Sequence, residues 1–259
     1  PTGSGKTHLV ATLARQLEVP FAVVDATTLT GAGGGSAGPE AIAHALLRDC
    51  DWDAAMAGRG VVYLDELDKL AEADDQGRGT AAQEALLSCL EGRAVTVARA
   101  NGRCVDVNTA DILFVAGGSF HGCALPGAAG TSEAALRPEL ASRFPVHVPL
   151  TEPGVNELDA MLTDPPDAPL RQARALLAAD GIDLWVGEAA RAQLVTAACS
   201  RGGGARGLRA AVERVLLPAY FAAPGCRGVC GVRLEAGSSE PVARLVTATP
   251  CQHRARPAA

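Results

Sequence analysis

The first seven residues have the types and spacing of a phosphate-binding loop. Pro1-Thr2-Gly3-Ser4-Gly5-Lys6-Thr7 leads into a segment in which leucine recurs every fourth residue from Leu9 to Leu17, as on one face of a helix. Glycines let the backbone curl so that N–H groups face phosphate oxygens, and the helix N-terminus adds partial positive charge. We expect Lys6 to reach the β- and γ-phosphates of ATP, and the Thr7 hydroxyl to bind Mg²⁺. The loop residues predicted to contact the nucleotide are Thr2, Gly3, Ser4, Gly5, Lys6, Thr7 and His8.

The beginning of this loop motif would lie upstream of the given sequence. The pattern G-x-x-x-x-G-K-[ST] starts with a glycine that would stand immediately before Pro1, and the strand that delivers the loop would precede it. Such a strand is usually central and buried in a parallel sheet. We therefore expect the chain as given to carry a hydrophobic slot, to be poorly stable and to bind ATP weakly. About ten further upstream residues should correct this.

Two acidic residues close an apolar run further along the chain. Val61-Val62-Tyr63-Leu64 precedes Asp65 and Glu66, as in a buried strand that ends at the carboxyl edge of a sheet. Asp65 is predicted to hold Mg²⁺ through its water shell, and Glu66 to polarise the water that attacks the γ-phosphate. A second buried strand is predicted over residues 111–116.

Composition argues against several classes of function. The chain has a net charge of −6 and only two lysines, whereas nucleic-acid binding needs clustered basic residues. No apolar run approaches the roughly 18 residues of a membrane span, and the N-terminus lacks the residue order of a signal peptide. The eight cysteines include no C-x-x-C pair and are expected to be reduced thiols. We therefore expect a cytoplasmic protein without a nucleic-acid or membrane partner.

Local patterns predict further helices and strands. Thr80 and Gln83 have the spacing of a capping box at the start of a helix that ends at Gly92. Prolines between Pro149 and Pro169 indicate a connection between domains. Beyond it, helices are predicted over residues 168–179, 188–199 and 204–217, and a pair of strands over residues 229–234 and 242–246.

Four strings occur in a characteristic order along the chain. They are Pro1-Thr2-Gly3-Ser4-Gly5-Lys6-Thr7, Asp25-Ala26-Thr27-Thr28-Leu29-Thr30, Val62-Tyr63-Leu64-Asp65-Glu66-Leu67-Asp68-Lys69 and Gly204-Ala205-Arg206-Gly207-Leu208-Arg209. In this order they resemble the ClpX family of AAA+ proteins over nearly the whole chain. The resemblance implies an α/β fold, with a P-loop large domain (parallel sheet flanked by helices) over residues 1–150. It also implies a small, mainly helical domain with a C-terminal strand pair over residues 151–259.

The resemblance also implies roles for three polar residues. Arg143 has the position of the arginine finger, which completes the active site of a neighbouring subunit, and Arg206 has the sensor 2 position. Ser119 is the side chain available for the sensor 1 role at the end of the second buried strand. A guanidinium group matches the geometry of phosphoryl oxygens. An arginine supplied by a neighbour requires a closed homo-oligomeric ring, which in this family is a hexamer.

The sequence departs from the family at three loops. Gly33-Gly34-Gly35-Ser36 stands where ClpX grips protein substrates with Gly-Tyr-Val-Gly, so the loop loses bulk and gains backbone entropy. The segment from Arg93 to Arg103 lacks the Arg-Lys-His string of a second pore loop. It is predicted to form a hairpin with Asn101-Gly102 at its turn, although Arg99 and Arg103 could partly replace the string. The segment after Ser119 is too short for the insertion that docks the ClpP protease.

These observations leave two hypotheses for function. The first is an ATP-binding and ATP-hydrolysing ClpX-like unfoldase or remodelling chaperone that acts on protein substrates. The alternative is a nucleotide-switched AAA+ assembly or regulatory protein that does not thread a polypeptide, as Gly34 and Gly35 would favour. A decayed relative without a present role is a third reading. Loss of structure of a folded reporter protein in the presence of ATP would separate the first two.

Overall fold

The protein forms two compact units in a computed structural model that describes residues 3–30, 38–71, 78–100, 102–120, 123–124, 134–226 and 228–247. Gly5–Leu150 is the first unit, and Thr151–Ala259 together with Pro1–Ser4 is the second. Among the described residues, no helix combines the length and the apolar character needed to cross a membrane.

A three-stranded parallel sheet organises the first unit. Its strand order is β1 (Phe21–Asp25), β2 (Val61–Asp65) and β5 (Leu113–Ala116), so the acidic strand is central, and all three strands end at the same edge. Helices Lys6–Gln16 and Pro39–Asp49 contact its strands, and a 3₁₀ turn at Ala26–Thr30 follows its first strand. The strands are β1 (Phe21–Asp25), β2 (Val61–Asp65), β3 (Ala94–Ala98), β4 (Cys104–Asn108), β5 (Leu113–Ala116), β6 (Cys123–Ala124) and β7 (Ala134–Ala135). The helices are α1 (Lys6–Gln16), α2 (Pro39–Asp49), α3 (Ala54–Ala57), α4 (Arg78–Leu90) and α5 (Pro138–Ser142).

The central strand β2 is buried on both faces, which explains its uninterrupted apolar run. Val62 and Leu64 point into the larger core, where they join residues of α2 and α4. Val61 and Tyr63 alternate with them and pack on the opposite face, against Val10 of α1 and its neighbour Ala14. This alternation places the side chain of Tyr63 on the same side of the sheet as α1.

Helix α1 packs on the sheet through a face other than its leucine stripe. The leucine stripe of α1 does not face the core: Leu9, Leu13 and Leu17 are 58%, 42% and 55% exposed. The helix instead buries Val10 and Ala14. The four-residue leucine spacing identified the helix correctly, and one small and one branched residue make its contact with the sheet.

The start of α4 also differs from the prediction. The helix begins at Arg78 rather than after Thr80, so the expected capping box does not form. Gln83 is instead buried, and its amide nitrogen donates to the Leu70 carbonyl oxygen at 2.7 Å. Its amide oxygen accepts the Arg137 N–H at 2.9 Å. The nitrogen and the oxygen of this buried amide therefore both have hydrogen-bond partners. Through them, Gln83 of α4 links the segments that contain Leu70 and Arg137.

Strands β3 and β4 form the hairpin predicted from the sequence. The pairing is antiparallel, and the Arg99 N–H donates to the Arg103 carbonyl oxygen at 2.8 Å. Gly102 has φ +77°, a conformation that favours glycine at this turn. The Arg99 guanidinium carbon lies 5.1 Å from the centroid of the Trp52 ring, a cation–π contact. The hairpin reading is confirmed, although Asn101 lies outside the described residues.

The second unit consists of helices packed on a small mixed sheet. Its strand order is β10 (Val242–Thr247), β9 (Val229–Glu235) and β8 (Asp183–Val186), in which β8 and β9 are parallel and β9 and β10 antiparallel. Apolar residues from all four helices and from the sheet form its core. The predicted helices and the C-terminal strand pair are present, whereas β8 was not predicted. The elements are α6 (Val155–Thr163), α7 (Pro169–Ala178), β8 (Asp183–Val186), α8 (Glu188–Arg201), α9 (Gly204–Ala222), β9 (Val229–Glu235) and β10 (Val242–Thr247).

Candidate functional site

The loop before α1 has the backbone geometry of an anion-binding turn. Gly3 and Gly5 have φ +76° and +82°, in the left-handed region that glycine adopts readily. Gly5 is the N-cap of α1 and provides no side-chain cap, and a Cβ atom built there would meet nothing within 4 Å. A helix N-terminus has N–H groups without intrahelical acceptors, and those groups suit phosphate oxygens. The geometry of this turn fits the predicted phosphate-binding role.

The end of β2 holds Glu66 in an uncommon conformation. Glu66 has φ +56°, which is rare for a residue with a side chain. Hydrogen bonds to Gly117 stabilise the turn on both sides. The Leu67 N–H donates to the Gly117 carbonyl oxygen at 3.0 Å, and the Gly117 N–H donates to the Leu64 carbonyl oxygen at 2.8 Å. The Glu66 carboxylate is exposed, while Asp65 is half-buried and accepts the Glu66 N–H at 3.0 Å. Strained backbone of this kind often occurs at functional sites.

The structure brings the phosphate loop and the acidic strand together around Tyr63. The Tyr63 hydroxyl is buried and makes no hydrogen bond of normal geometry, yet the Thr7 hydroxyl and the Asp65 carboxylate lie close enough to affect its ionisation. Burial, and secondarily the negative charge of Asp65, raises the pKa of Tyr63 to about 12. Thr7 and Asp65 thus both lie near the Tyr63 hydroxyl, and their shared role as Mg²⁺ ligands stays a prediction.

These residues fit ATP and Mg²⁺. A hydroxyl and a carboxylate are the hard oxygen ligands that Mg²⁺ prefers, usually with several water molecules retained. Thr7 and Asp65 supply one of each at the carboxyl end of a parallel strand, next to an uncapped helix N-terminus. The unpaired Tyr63 hydroxyl is a further polar group buried beside them. Ligand sites in open α/β sheets lie at this edge.

Ser119, which the resemblance placed in the sensor 1 role, is held by a residue that the sequence analysis did not single out. Its hydroxyl donates to Asp68 Oδ2 at 2.7 Å, and its N–H donates to the same oxygen at 3.2 Å. Asp68 lies in the 3₁₀ turn Leu67–Ala71, immediately beyond Glu66. The only sequence signal for this contact is the second acid of the Asp65-Glu66-Leu67-Asp68 run.

The two arginines assigned by resemblance are both exposed. Arg143, at the C-terminal end of α5, forms an ion pair with Glu91 at 3.0 Å. Arg206 lies in the first turn of α9. Their contacts with nucleotide stay predictions. The other predicted site residues are placed at the start of α1, where Lys6 is half-buried and His8 is exposed.

Some predicted features lie outside the described residues. These are Thr2 of the phosphate loop and the Gly33–Ser36 pore-loop segment. Most of the segment that replaces the protease-docking insertion is also outside them. The assignments made for these residues stay predictions.

Comparisons with known proteins identify the family. Residues 1–147 match the AAA domain (Cdc48 subfamily), and residues 167–223 match the C-terminal D2-small domain of ClpB protein. The chain is 32% identical over 271 aligned residues to the ATP-dependent Clp protease ATP-binding subunit ClpX of Treponema denticola. That alignment covers 88% of this chain and 65% of the relative. The chain therefore belongs to the AAA+ ATPase family and is ClpX-like, which confirms the predicted family and fold class.

Proposed function

We propose that the chain is an ATP-binding and ATP-hydrolysing subunit of a ClpX-like protein unfoldase or remodelling chaperone. The observation that carries this proposal is the grouping of Thr7, Tyr63 and Asp65 beside Glu66 at the end of β2. We also propose that residues 1–150 are the nucleotide-binding domain and residues 151–259 the small sensor 2 domain. The similarity to a ClpX protein supports these assignments.

The residues of this site suit hydrolysis of the terminal phosphate of ATP. Lys6 and the N-terminus of α1 would bind the phosphate oxygens. Thr7 and Asp65 would hold Mg²⁺, which neutralises charge on the β- and γ-phosphates when bound. The Glu66 carboxylate would accept a proton from a water molecule as the water oxygen bonds to the γ-phosphorus and ADP leaves. Its exposed position beyond the end of β2 leaves it accessible for that task.

Arg143 would act on the nucleotide of a neighbouring subunit. The ion pair with Glu91 joins two exposed side chains, and such pairs stabilise proteins by only about 0 to 1 kcal/mol. The guanidinium is therefore weakly held and available to a neighbour. A head-to-tail ring, in this family a hexamer, would bring it to the next site, while Arg206 would bind nucleotide as sensor 2.

Protein chains are the proposed substrate of this motor. The relative is named as the ATP-binding subunit of a protease, which supports a role in handling polypeptides. We do not propose that this chain docks ClpP, because its sequence is short where the docking insertion would stand. The cytoplasmic location stays the prediction made from the sequence.

A folded, degradation-tagged reporter tests the unfoldase proposal. The purified protein with ATP and Mg²⁺ should abolish the reporter's native signal over time, whereas ADP should not. Survival of the reporter despite rapid ATP turnover would contradict unfolding and favour the nucleotide-switched alternative. Absence of both unfolding and turnover would contradict the ATPase itself.

A further inference from the structure

One oxygen atom of Asp68 accepts three hydrogen bonds from the end of β5. The Ser119 hydroxyl donates to Asp68 Oδ2 at 2.7 Å, and the N–H groups of Ser119 and Phe120 donate to the same atom at 3.2 and 3.1 Å. Hydrogen bonds to a charged acceptor are about twice as strong as those between neutral groups. The carboxylate thus fixes both the backbone and the side chain of the segment that follows β5.

The packing around Asp68 leaves little freedom for this arrangement. A Cβ atom at Gly118 would lie 2.3 Å from Asp68 Oδ1, so the chain passes directly over the carboxylate. A second link lies nearby, because the Leu67 N–H donates to the Gly117 carbonyl oxygen at 3.0 Å. The turn that contains Glu66 and the end of β5 are therefore joined through both backbone and side-chain contacts.

We propose that Asp68 is a positioning residue that joins the Glu66 turn to the end of β5 and holds Ser119 as a hydrogen-bond acceptor beside the reacting phosphate. This inference rests on the proposed ATPase function. Asp68 acts through Ser119 and Glu66 and does not itself contact the nucleotide.

The direction of the Ser119 hydrogen bond determines what its hydroxyl can do. A hydroxyl has one hydrogen, and in Ser119 that hydrogen points to Asp68. Ser119 Oγ therefore offers only lone pairs to its remaining neighbours. It would accept a hydrogen bond from the attacking water, and it would not donate one to the γ-phosphate oxygens. The segment would thus orient water in concert with Glu66.

Amide hydrogen exchange and ATP turnover together test this role. In Asp68→Ala, exchange at Ser119 and Phe120 should accelerate by at least about 10-fold in the nucleotide-free protein. Turnover at saturating ATP (kcat) should fall by at least about 10-fold, while KM changes by less than about threefold. Ser119→Ala should show a similar fall in kcat, and the double variant should be little worse than either single variant.

Two further variants separate positioning from general destabilisation. Asp68→Asn keeps an oxygen that can accept the same hydrogen bonds, so its kcat and exchange should stay within about threefold of wild type. Asp53→Ala removes a carboxylate oxygen that accepts the N–H groups of Ala55 and Met56 at 2.9 and 3.1 Å. Because Asp53 caps the short helix α3, its loss should leave kcat unchanged.

The proposal is overturned if Asp68→Ala leaves exchange at Ser119 and Phe120 unchanged, or if exchange rises while kcat does not fall. It is also overturned if Asp68→Asn loses as much turnover as Asp68→Ala. Failure of the ATPase proposal can be distinguished from failure of the Asp68 proposal, because the wild-type protein would then release no phosphate from ATP. The exchange data would in that case still show whether Asp68 holds Ser119.

Discussion

The N–H of Leu67 donates to the carbonyl oxygen of Gly117 at 3.0 Å, which joins the residue after Glu66 to the residue after β5. This hydrogen bond links the neighbouring parallel strands β2 and β5 just beyond their C-terminal ends. It also constrains the backbone on the C-terminal side of Glu66. The φ of +56° at Glu66 is unfavourable for a residue with a side chain, and contacts of this kind hold it in place. The proposed base is thus held by backbone contacts rather than by its own side chain.

Glu66→Gln should abolish turnover without loss of ATP binding. The amide cannot accept a proton from water, whereas the size of the side chain is retained. We expect phosphate release to fall by at least about 100-fold, with ATP affinity nearly unchanged in equilibrium binding. Glu18→Gln is the matched control, because Glu18 is also exposed and has φ +54° at the end of α1. Unchanged turnover in Glu66→Gln would remove Glu66 from the role of base.

Gly117 and Tyr63 should show coupled effects on stability. A Cβ atom at Gly117 would lie 1.9 Å from the Tyr63 hydroxyl oxygen and 2.6 Å from the ring carbon that bears it. Gly117→Ala should therefore lower the free energy of unfolding by about 1 to 3 kcal/mol. Tyr63→Phe should raise it by about 1 kcal/mol, because a buried hydroxyl that makes no hydrogen bond of normal geometry is removed.

Urea unfolding of the two single variants and the double variant measures this coupling. Tyr63→Phe should relieve only part of the Gly117→Ala loss, since the ring carbon remains in the way. Gly225→Ala is the control: a Cβ atom there would meet only the Ala222 carbonyl oxygen at 3.9 Å. A clear destabilisation by Tyr63→Phe would mean that its hydroxyl has a partner.

Cys89 should make the protein sensitive to alkaline pH. Burial raises the pKa of the Cys89 thiol from 9.0 to about 11, although the positive charge of Arg93 opposes the shift. The thiol ionises more readily in the unfolded chain, so stability is retained below pH 9 and is lost progressively as pH rises through 11. The loss attributable to this thiol should be about 3 kcal/mol once pH exceeds 11.

Comparison of Cys89→Ala with wild type isolates this effect. The wild-type free energy of unfolding should fall more steeply than that of the variant between about pH 9 and pH 11. Cys104→Ala serves as the control, because Cys104 is exposed in the same unit. Parallel pH profiles for wild type and Cys89→Ala would contradict the prediction.

Arg143→Ala should impair catalysis far more than folding. We expect turnover to fall by at least about 100-fold, because an arginine finger stabilises charge in the transition state. The free energy of unfolding should change by less than about 1 kcal/mol, since the pair with Glu91 is exposed. When variant and wild-type subunits are mixed, activity should fall more steeply than the variant fraction rises.

A linear decline in that titration would mean that Arg143 does not act across a subunit boundary. Arg137→Ala is the matched control. Arg137 is another half-exposed arginine of the same segment, and it pairs with Glu84 at 2.7 Å. Mixtures of Arg137→Ala and wild-type subunits should keep wild-type activity.

The sequence was sufficient for features that depend on local chemistry. The helix that follows the phosphate loop, the buried strand that ends at Asp65 and the hairpin around Gly102 follow from glycine positions and apolar runs. Each of these signals lies within a short stretch of chain. The family assignment, which the comparisons confirm, rests on the same strings.

Features that depend on contacts between distant segments were not predictable in this way. Asp68 contacts Ser119 across 51 positions of the chain, and Gln83 contacts the Arg137 N–H across 54. The leucine spacing of α1 likewise did not indicate that Val10 and Ala14 would make the buried face, because which face packs on the sheet is decided by neighbouring elements. A contact between residues that are far apart in the chain gives no recognisable spacing in a single sequence.

Phosphate release from ATP, measured with and without free Mg²⁺, tests the central claim most directly. The account predicts release that requires Mg²⁺ and is lost in Lys6→Ala. Arg15→Ala, which changes an exposed cation at the other end of α1, should retain it. Phosphate release that is absent, or that persists unchanged in Lys6→Ala or without Mg²⁺, would contradict the assignment of this site.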